Sequence, residues 1–327
     1  MAQINAIEII VNEFLQGLGE WLRIPMLAIT TLGNEQFFVL LLPTLYWCFD
    51  QMIGMRVGII FLMGNTVNSF FKLLFHNPRP YWISDSVKAY SHETSFGLPS
   101  GHAQTAATIW GWLACEIKKR WFTIVALVLA FLIGLSRLYL GVHFLSDVVL
   151  GWLIGGLLVW IYSACYKKAG KWLGDRSLWT KLGLVLLSGI VMVAVVLLAR
   201  WSSSSWVMES TWMERAGETA PLSIEGVFTL SGTWVGMLGG YVILTETKGH
   251  FLAGEGGWRR FIRFLVGLVG VLILYLGLGQ LFPKNDDLIS YALRFLRYAL
   301  IGLWVSWVGP IVFEKFRILD FEEEAST

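Results

Sequence analysis

Long apolar runs separated by short polar breaks are the dominant pattern along the chain. Crossing the hydrocarbon of a bilayer takes about 20 mainly apolar helical residues. Residues 53–75, 121–139, 144–166, 182–198, 227–244, 261–282 and 288–313 meet or approach that length. Two shorter runs, 36–49 and 103–115, are needed for the chain to alternate sides sensibly. In residues 4–22, Ile4, Ile9, Val11, Phe14, Leu15, Leu18 and Leu22 recur at helical spacing among Glu8, Glu13 and Glu20. That segment either lies along the interface or begins a first span. The same glutamates occupy the place of a signal peptide's basic region, so insertion is expected to rely on the membrane helices themselves. The predicted fold is all-α, a polytopic membrane bundle of about nine or ten spans.

Composition agrees with a bilayer. Charged residues make up 15% of the 327, against about 25% in soluble domains, and 56% of the chain is hydrophobic. Lys and Arg total 25 against 23 Asp and Glu, a net charge of +2. This balance leaves no basic face for nucleic acid, which is excluded as a partner. Cys48, Cys115 and Cys165 match no metal-ligand spacing, so neither a metal site nor a disulfide is expected of them.

Short basic loops stay cytoplasmic. Lys118, Lys119 and Arg120 form one, Lys167, Lys168, Lys171, Arg176 and Lys181 a second, and Lys248, Arg259, Arg260 and Arg263 a third. The long segment 76–102 then faces outward, and the protein is expected in the plasma (inner) membrane. Trp47, Trp82, Trp121, Trp172, Trp179, Trp201, Trp206 and Trp258 fall at predicted helix ends, as an interfacial belt does. Gly232, Gly236 and Gly240, and likewise Gly151 and Gly155, allow close helix contact, within one chain or across a homodimer seam. The polar stretch 200–223 is the one substantial linker. The expected division is a catalytic bundle at 1–166, a basic cytoplasmic linker at 167–181 and further transmembrane helices at 182–327.

Ionisable residues beside membrane spans mark function by default, and three groups of them converge on the outward side. Lys72 and Arg79 end one helix, Ser100, Gly101 and His102 open the next, and Arg137 is followed by His143 and Asp147. His143 and Asp147 are four apart, so the carboxylate can hold one imidazole nitrogen and leave the other free. Lys72, Arg79 and Arg137 form a cationic set with no matching acidic cluster, suited to phosphate oxygens. Ser100 and Gly101 add a hydroxyl and backbone N–H groups at a helix N-terminus. One histidine would attack phosphorus and the other protonate the leaving oxygen. No metal or other cofactor is called for, because the cations neutralise the phosphate.

Lys72-Leu-Leu-Phe-His-Asn-Pro-Arg79-Pro80, Pro99-Ser-Gly-His102 and Ser136-Arg137-Leu-Tyr-Leu-Gly-Val-His143-Phe-Leu-Ser-Asp147 resemble, in order and spacing, the three signature motifs of the type 2 phosphatidic acid phosphatase (PAP2) family. The resemblance spans residues 36–166. It implies His143 as nucleophile forming a phosphohistidine, Asp147 as its partner and His102 as general acid. It also implies Lys72, Arg79, Ser100, Gly101 and Arg137 as phosphate ligands. The later helices loosely resemble those of sphingosine-1-phosphate-phosphatase-like members, and Arg294 and Arg297 there are expected to snorkel or to pair with Asp286 or Asp287. The expected activity is hydrolysis of a membrane lipid phosphomonoester or pyrophosphate. A lipid phosphotransferase using the same intermediate, or a lipid-binding or flippase-like protein, are the alternatives.

Overall fold

The computed structural model describes residues 2–252, 256–283 and 285–321. Its helices are α1 (Ala2–Gly17), α2 (Arg23–Thr31), α3 (Glu35–Thr44), α4 (Gln51–Phe75), α5 (Pro80–Ile83), α6 (Gly101–Ile117), α7 (Arg120–Tyr139), α8 (Leu145–Gly174), α9 (Leu178–Ser202), α10 (Ser210–Ala216), α11 (Glu225–Lys248), α12 (Gly257–Leu272), α13 (Leu278–Leu281), α14 (Leu288–Leu303) and α15 (Gly309–Lys315). Among the described residues the only sheet is an antiparallel pair, β1 (Phe251–Leu252) with β2 (Asp320–Phe321).

Seven helical stretches of the described residues are long and apolar enough to cross a membrane: Gln51–Ile83, Arg120–Tyr139, Leu145–Gly174, Leu178–Ser202, Glu225–Lys248, Gly257–Leu281 and Leu288–Lys315. They contain the seven longer runs expected from the sequence, bar a residue at two ends. The two shorter runs form shorter helices for identifiable reasons. Phe37–Cys48 is apolar but carries Pro43 inside α3 and ends in a π-helical turn before extended Asp50. The helix α6 starts at the Ser100 cap and stops where Lys118 turns left-handed, its N–H closing on the Ala114 carbonyl. Residues 167–174 of the basic segment continue α8, and the chain breaks only at 175–177. The opening helix α1 is not among the long apolar stretches.

By its contacts the chain forms two compact units that are interleaved in sequence. The first comprises Met1–Phe38, Met63–Cys165 and Val195–Ile224, the second Val39–Leu62, Tyr166–Ala194 and Glu225–Thr327. In the first, Ala106, Ala130 and Ile133 pack with Ile29, Leu32 and Trp110, while Ala103, Leu138 and Val148 pack with Val11, Leu15 and Trp152. Small residues let α6 and α8 touch: a Cβ at Gly151 would sit 2.8 Å from the Ser100 carbonyl, and one at Gly155 2.7 Å from that of Gln104. In the second unit the stripe Gly232, Gly236 and Gly240 of α11 lies against α14 and the turn after it, where added side chains would strike the carbonyls of Phe295 and Ala299 and the Ser306 hydroxyl. These glycine faces are thus occupied within the chain.

The tryptophans divide. Trp121, Trp172, Trp179, Trp201 and Trp258 are exposed, as an interfacial belt requires. Trp47 and Trp82 are instead buried, Trp47 donating to the Val305 carbonyl at 2.7 Å within the second unit, and Trp206 stacks on His76 within the first. Arg294 pairs with Glu225 and not with Asp286 or Asp287, while Arg297 lies over the rings of Tyr275 and Tyr298.

Gly236→Val should force α11 from α14 at an overpacking cost of about 1–3 kcal/mol. The thermal midpoint in detergent should fall by a few degrees, whereas Gly170→Val, with nothing within 4 Å, should leave it unchanged. Equal midpoints for the two variants would contradict this packing.

Candidate active site

All eight residues singled out from the sequence lie in the first unit, at the ends of its helices. Lys72 sits in the last turn of α4, and Arg79, extended as residues before proline are, caps α5 with Pro80 at its first position. Ser100 caps α6, its hydroxyl facing the Ala103 N–H, and Gly101 places its N–H in the first turn, where no helical carbonyl faces it. Arg137 ends α7 and Asp147 begins α8. Between them Gly141 adopts φ 74°, and a Cβ there would strike the Lys88 carbonyl, so glycine is required on both counts. The Ser100 N–H donates to the Asp147 carbonyl at 2.9 Å, tying the second motif to the third.

His143 and Asp147 are both buried. Asp147 Oδ2 lies 3.1 Å from His143 Nδ1 and accepts the Phe144 N–H at 3.0 Å, while Asn77 donates to Oδ1 at 3.3 Å. His143 Nε2 lies 3.2 Å from Arg79 Nη1. A guanidinium only donates, so Nε2 is the bare nitrogen and Nδ1 carries the proton toward Asp147. Burial, then the charges of Arg79, Arg137 and Lys72, push this imidazole well below its ordinary range. Its Nε2 faces the Arg79 guanidinium.

Arg79 is locked by the Ser95 carbonyl at 2.7 Å, the Val142 carbonyl at 2.8 Å and the Phe96 carbonyl at 3.1 Å. Lys72 Nζ donates to Ser95 Oγ at 2.7 Å. Arg137 donates to Thr30 Oγ1 at 2.8 Å and forms an ion pair with Glu93, whose other oxygen is 3.9 Å from Arg79. The expectation of cations without an acidic counterpart is thereby corrected. Buried positive charges need a compensating anion, and Glu93 supplies it. Burial alone would raise the Glu93 carboxyl, but Arg137 and then Arg79 override it and hold its pKa at about 2.

His102 Nε2 lies 2.6 Å from Asn34 Oδ1. Burial, then the charge of Arg137, push its imidazole well below the ordinary range, with Glu93 opposing them. Sequence reasoning missed Glu93, Ser95, Asn34 and Thr30, which carry no motif of their own, while Asn77 stood inside the first motif without a role. His76 and His92 act as loop residues: His76 Nε2 is 2.6 Å from Ser203 Oγ, and His92 reaches the Glu218 carbonyl at 2.9 Å. The expected linker 200–223 is part of this unit. Arg215 forks onto Asp85 with both bonds at 2.5 Å, and the Thr94 carbonyl accepts from Thr219 Oγ1 at 2.7 Å and the Ala220 N–H at 3.1 Å.

Two histidines, one of them paired with a carboxylate, lie beside Lys72, Arg79 and Arg137, an arrangement suited to an oxyanion, and comparison with known proteins gives a family. Residues 53–171 match the PAP2 superfamily model, and residues 228–323 match that of the PAP2 superfamily phosphatase transmembrane extension. Phosphatidylglycerophosphatase B of Bacillus subtilis is 30% identical over 161 residues, covering 45% of this chain and 77% of that protein. Glucose-6-phosphatase 3 of Bos taurus is 27% identical over 334 residues, covering 93% of each. The crystal structure of a transmembrane PAP2-type phosphatidylglycerolphosphate phosphatase from Bacillus subtilis aligns with a TM-score of 0.46 at 27% identity, over 51% of this chain and 88% of that one. The chain belongs to the PAP2 superfamily. It is an integral membrane phosphatase of the PAP2 type, extended by transmembrane helices at its C-terminal side.

Glu93 makes acid stability testable. Its carboxyl is held at about 2 against an ordinary 4.5, so its stabilisation is fully present above about pH 5 and is lost as pH falls toward 2. It is on the order of 3 kcal/mol. Glu93→Gln should melt below wild type at pH 7, and the difference between the two melting points should shrink between pH 5 and pH 3. A difference independent of pH would contradict the ion pair.

Proposed function

We propose that the protein removes a terminal phosphate from a lipid phosphomonoester or pyrophosphate at the extracytoplasmic face of the plasma (inner) membrane, through a phosphohistidine and without a metal. The observation that carries this reading is the setting of His143, with Nε2 3.2 Å from Arg79 Nη1 and Nδ1 3.1 Å from Asp147 Oδ2, which assigns the proton to Nδ1 and leaves Nε2 bare. The substrate phosphate takes the place of Glu93 among Lys72, Arg79 and Arg137, with Ser100 and the Gly101 N–H completing its ligands. His143 Nε2 attacks phosphorus, and the bond to the leaving oxygen breaks as His102 gives that oxygen a proton. Asp147 stabilises the imidazolium character that develops on His143. His102 then takes a proton from water, whose oxygen attacks the phosphohistidine and releases inorganic phosphate and free His143.

A lipid substrate is supported by the membrane setting and by the likeness to phosphatidylglycerophosphatase B. A second reading, a soluble sugar phosphate, is favoured by a different observation. The likeness to glucose-6-phosphatase 3 runs through 93% of the chain, transmembrane extension included, whereas the lipid phosphatase matches 45%. Capture of the phosphohistidine by an acceptor other than water would make the protein a phosphotransferase. The outward orientation follows from the basic loops 118–120 and 167–181.

Phosphate release by the purified protein from a panel of lipid phosphates, with glucose 6-phosphate and other soluble esters beside them, decides between the readings. A lipid should give the highest kcat/KM, and orthovanadate should inhibit while excess EDTA does not. His143→Ala should retain less than about one hundredth of the activity, the several kcal/mol expected of covalent catalysis. Preference for soluble sugar phosphates would replace the lipid reading, and loss of activity in EDTA restored by Mg²⁺ would overturn the metal-free mechanism. For sidedness, Ser86→Cys should react with an impermeant maleimide on intact cells and Gly170→Cys should not, both in a variant lacking Cys48, Cys115 and Cys165. The opposite labelling would place the site on the cytoplasmic side.

A further inference from the structure

The helix α1 turns a polar stripe toward the protein beside Val11 and Leu15, which pack against Ala103, Leu138 and Val148. Ile7, Ile10, Phe14 and Leu18 project outward, Ile7 and Phe14 being 67% and 68% exposed, as suits a face turned to hydrocarbon in a membrane protein. Glu8, Asn12 and Gln16, spaced four apart and so on one face, instead reach the loop that carries His143. Glu8 accepts from the Ser146 N–H at 2.7 Å and from its hydroxyl at 2.8 Å, at the start of α8. Asn12, 0% exposed, donates through Nδ2 to the Leu138 carbonyl at 2.7 Å and to the His143 carbonyl at 3.0 Å. Gln16 donates to the carbonyls of Tyr139 at 3.0 Å and Lys88 at 2.8 Å, and accepts the Lys88 N–H at 3.0 Å.

The carbonyls of Leu138 and Tyr139 belong to the last turn of α7, beyond its regular helical bonding; that of Leu138 accepts the Gly141 N–H at 3.1 Å as well as Asn12. Asn12 supplies buried donors that join the end of α7 to the His143 backbone, and the Glu8 carboxylate holds the start of α8. The only residues between those two helices are the catalytic loop. The Asn12 side-chain oxygen is buried with no hydrogen-bond partner, so this residue is held for its two donors. That is a costly arrangement for a side chain that only fills space.

We infer that α1 is a positioning element for the nucleophile, and that Asn12, through its bond to the His143 backbone, fixes where Nε2 stands relative to the bound phosphate. This rests on His143 being the nucleophile. Asn12 touches neither the substrate nor the reacting atoms; it acts through the loop. None of the phosphate ligands bonds Asn12, and Arg79, though it also donates to Val142 in this loop, keeps its bonds to the Ser95 and Phe96 carbonyls, so the loss of Asn12 should spoil attack more than binding.

The test compares wild type with Asn12→Leu, which keeps the size and removes both donors, and Asn12→Ser, which keeps one. Three quantities are measured on the full-length protein: kcat, competitive inhibition by inorganic phosphate, and inhibition by orthovanadate, whose vanadium must meet Nε2. A misplacement of about 1 Å can cost about a hundredfold. Asn12→Leu should therefore lose about that much kcat and a comparable factor in vanadate affinity, with phosphate inhibition kept within about threefold, and Asn12→Ser should fall between. Unchanged kcat, or parallel loss of phosphate and vanadate binding as from a merely unstable protein, would overturn the inference. If Asn12→Leu fails to accumulate, Asn12→Ser is judged by the same ratio. His143→Ala runs beside them: if it stays active the nucleophile reading fails, whereas an inactive His143→Ala with fully active Asn12 variants removes only the role of Asn12.

Discussion

Concentrated positive charge beside a buried histidine, both shielded from water, is the constraint around which the rest of this site is arranged. Arg79 and Arg137 are almost wholly buried, and Lys72 is bound through the same Ser95 as Arg79. Burial, and then their field, push the His143 imidazole well below its ordinary range, which suits the attacking role proposed for it. The same field would be prohibitive without an anion to answer it. Glu93 meets that need. In the proposed reaction the substrate phosphate takes over from Glu93, so that binding is an exchange of one anion for another.

Holding such a cluster takes rigid mountings. Arg79 spends its donors on backbone carbonyls of 95, 96 and 142, so it reports the position of two separate loops at once. Asp147 is fixed by the Phe144 N–H and by Asn77 while its own carbonyl receives Ser100. The long loop carrying Glu93 and Ser95 is itself pinned at Thr94 by Thr219 and Ala220. The catalytic groups stand at helix ends, where unsatisfied N–H and carbonyl groups are available to bind a substrate or to be bound by a positioning side chain.

What could be read in the sequence, and what could not, divides along physical lines. Apolar runs are a property of composition, so the long spans were legible, as were the three motifs, because their spacing within a helix or a short loop is local. Glu93 was not, since its partner Arg137 lies 44 residues away and nothing in the loop marks it as anything but a solvated acid. Asn34 and Asn12 were hidden likewise: each acts on a residue more than 60 positions distant. The fate of the first helix was left between two readings for the same reason, because an inward polar stripe and an outward apolar one produce the same periodicity whichever side faces the protein. Trp47 and Trp82, placed by pattern at helix ends, were in fact core residues. An indole at a helix end looks the same in sequence whether its neighbour is lipid or another helix.

The proposed reaction passes through a covalent bond between phosphorus and His143 Nε2, and such a bond can be observed. Purified protein mixed with a ³²P-labelled substrate and quenched within a turnover should carry label that is lost in acid, survives in alkali and maps to the peptide containing His143. His143→Ala should carry none. Turnover that proceeds with no such label, or label fixed on another residue, would contradict the account.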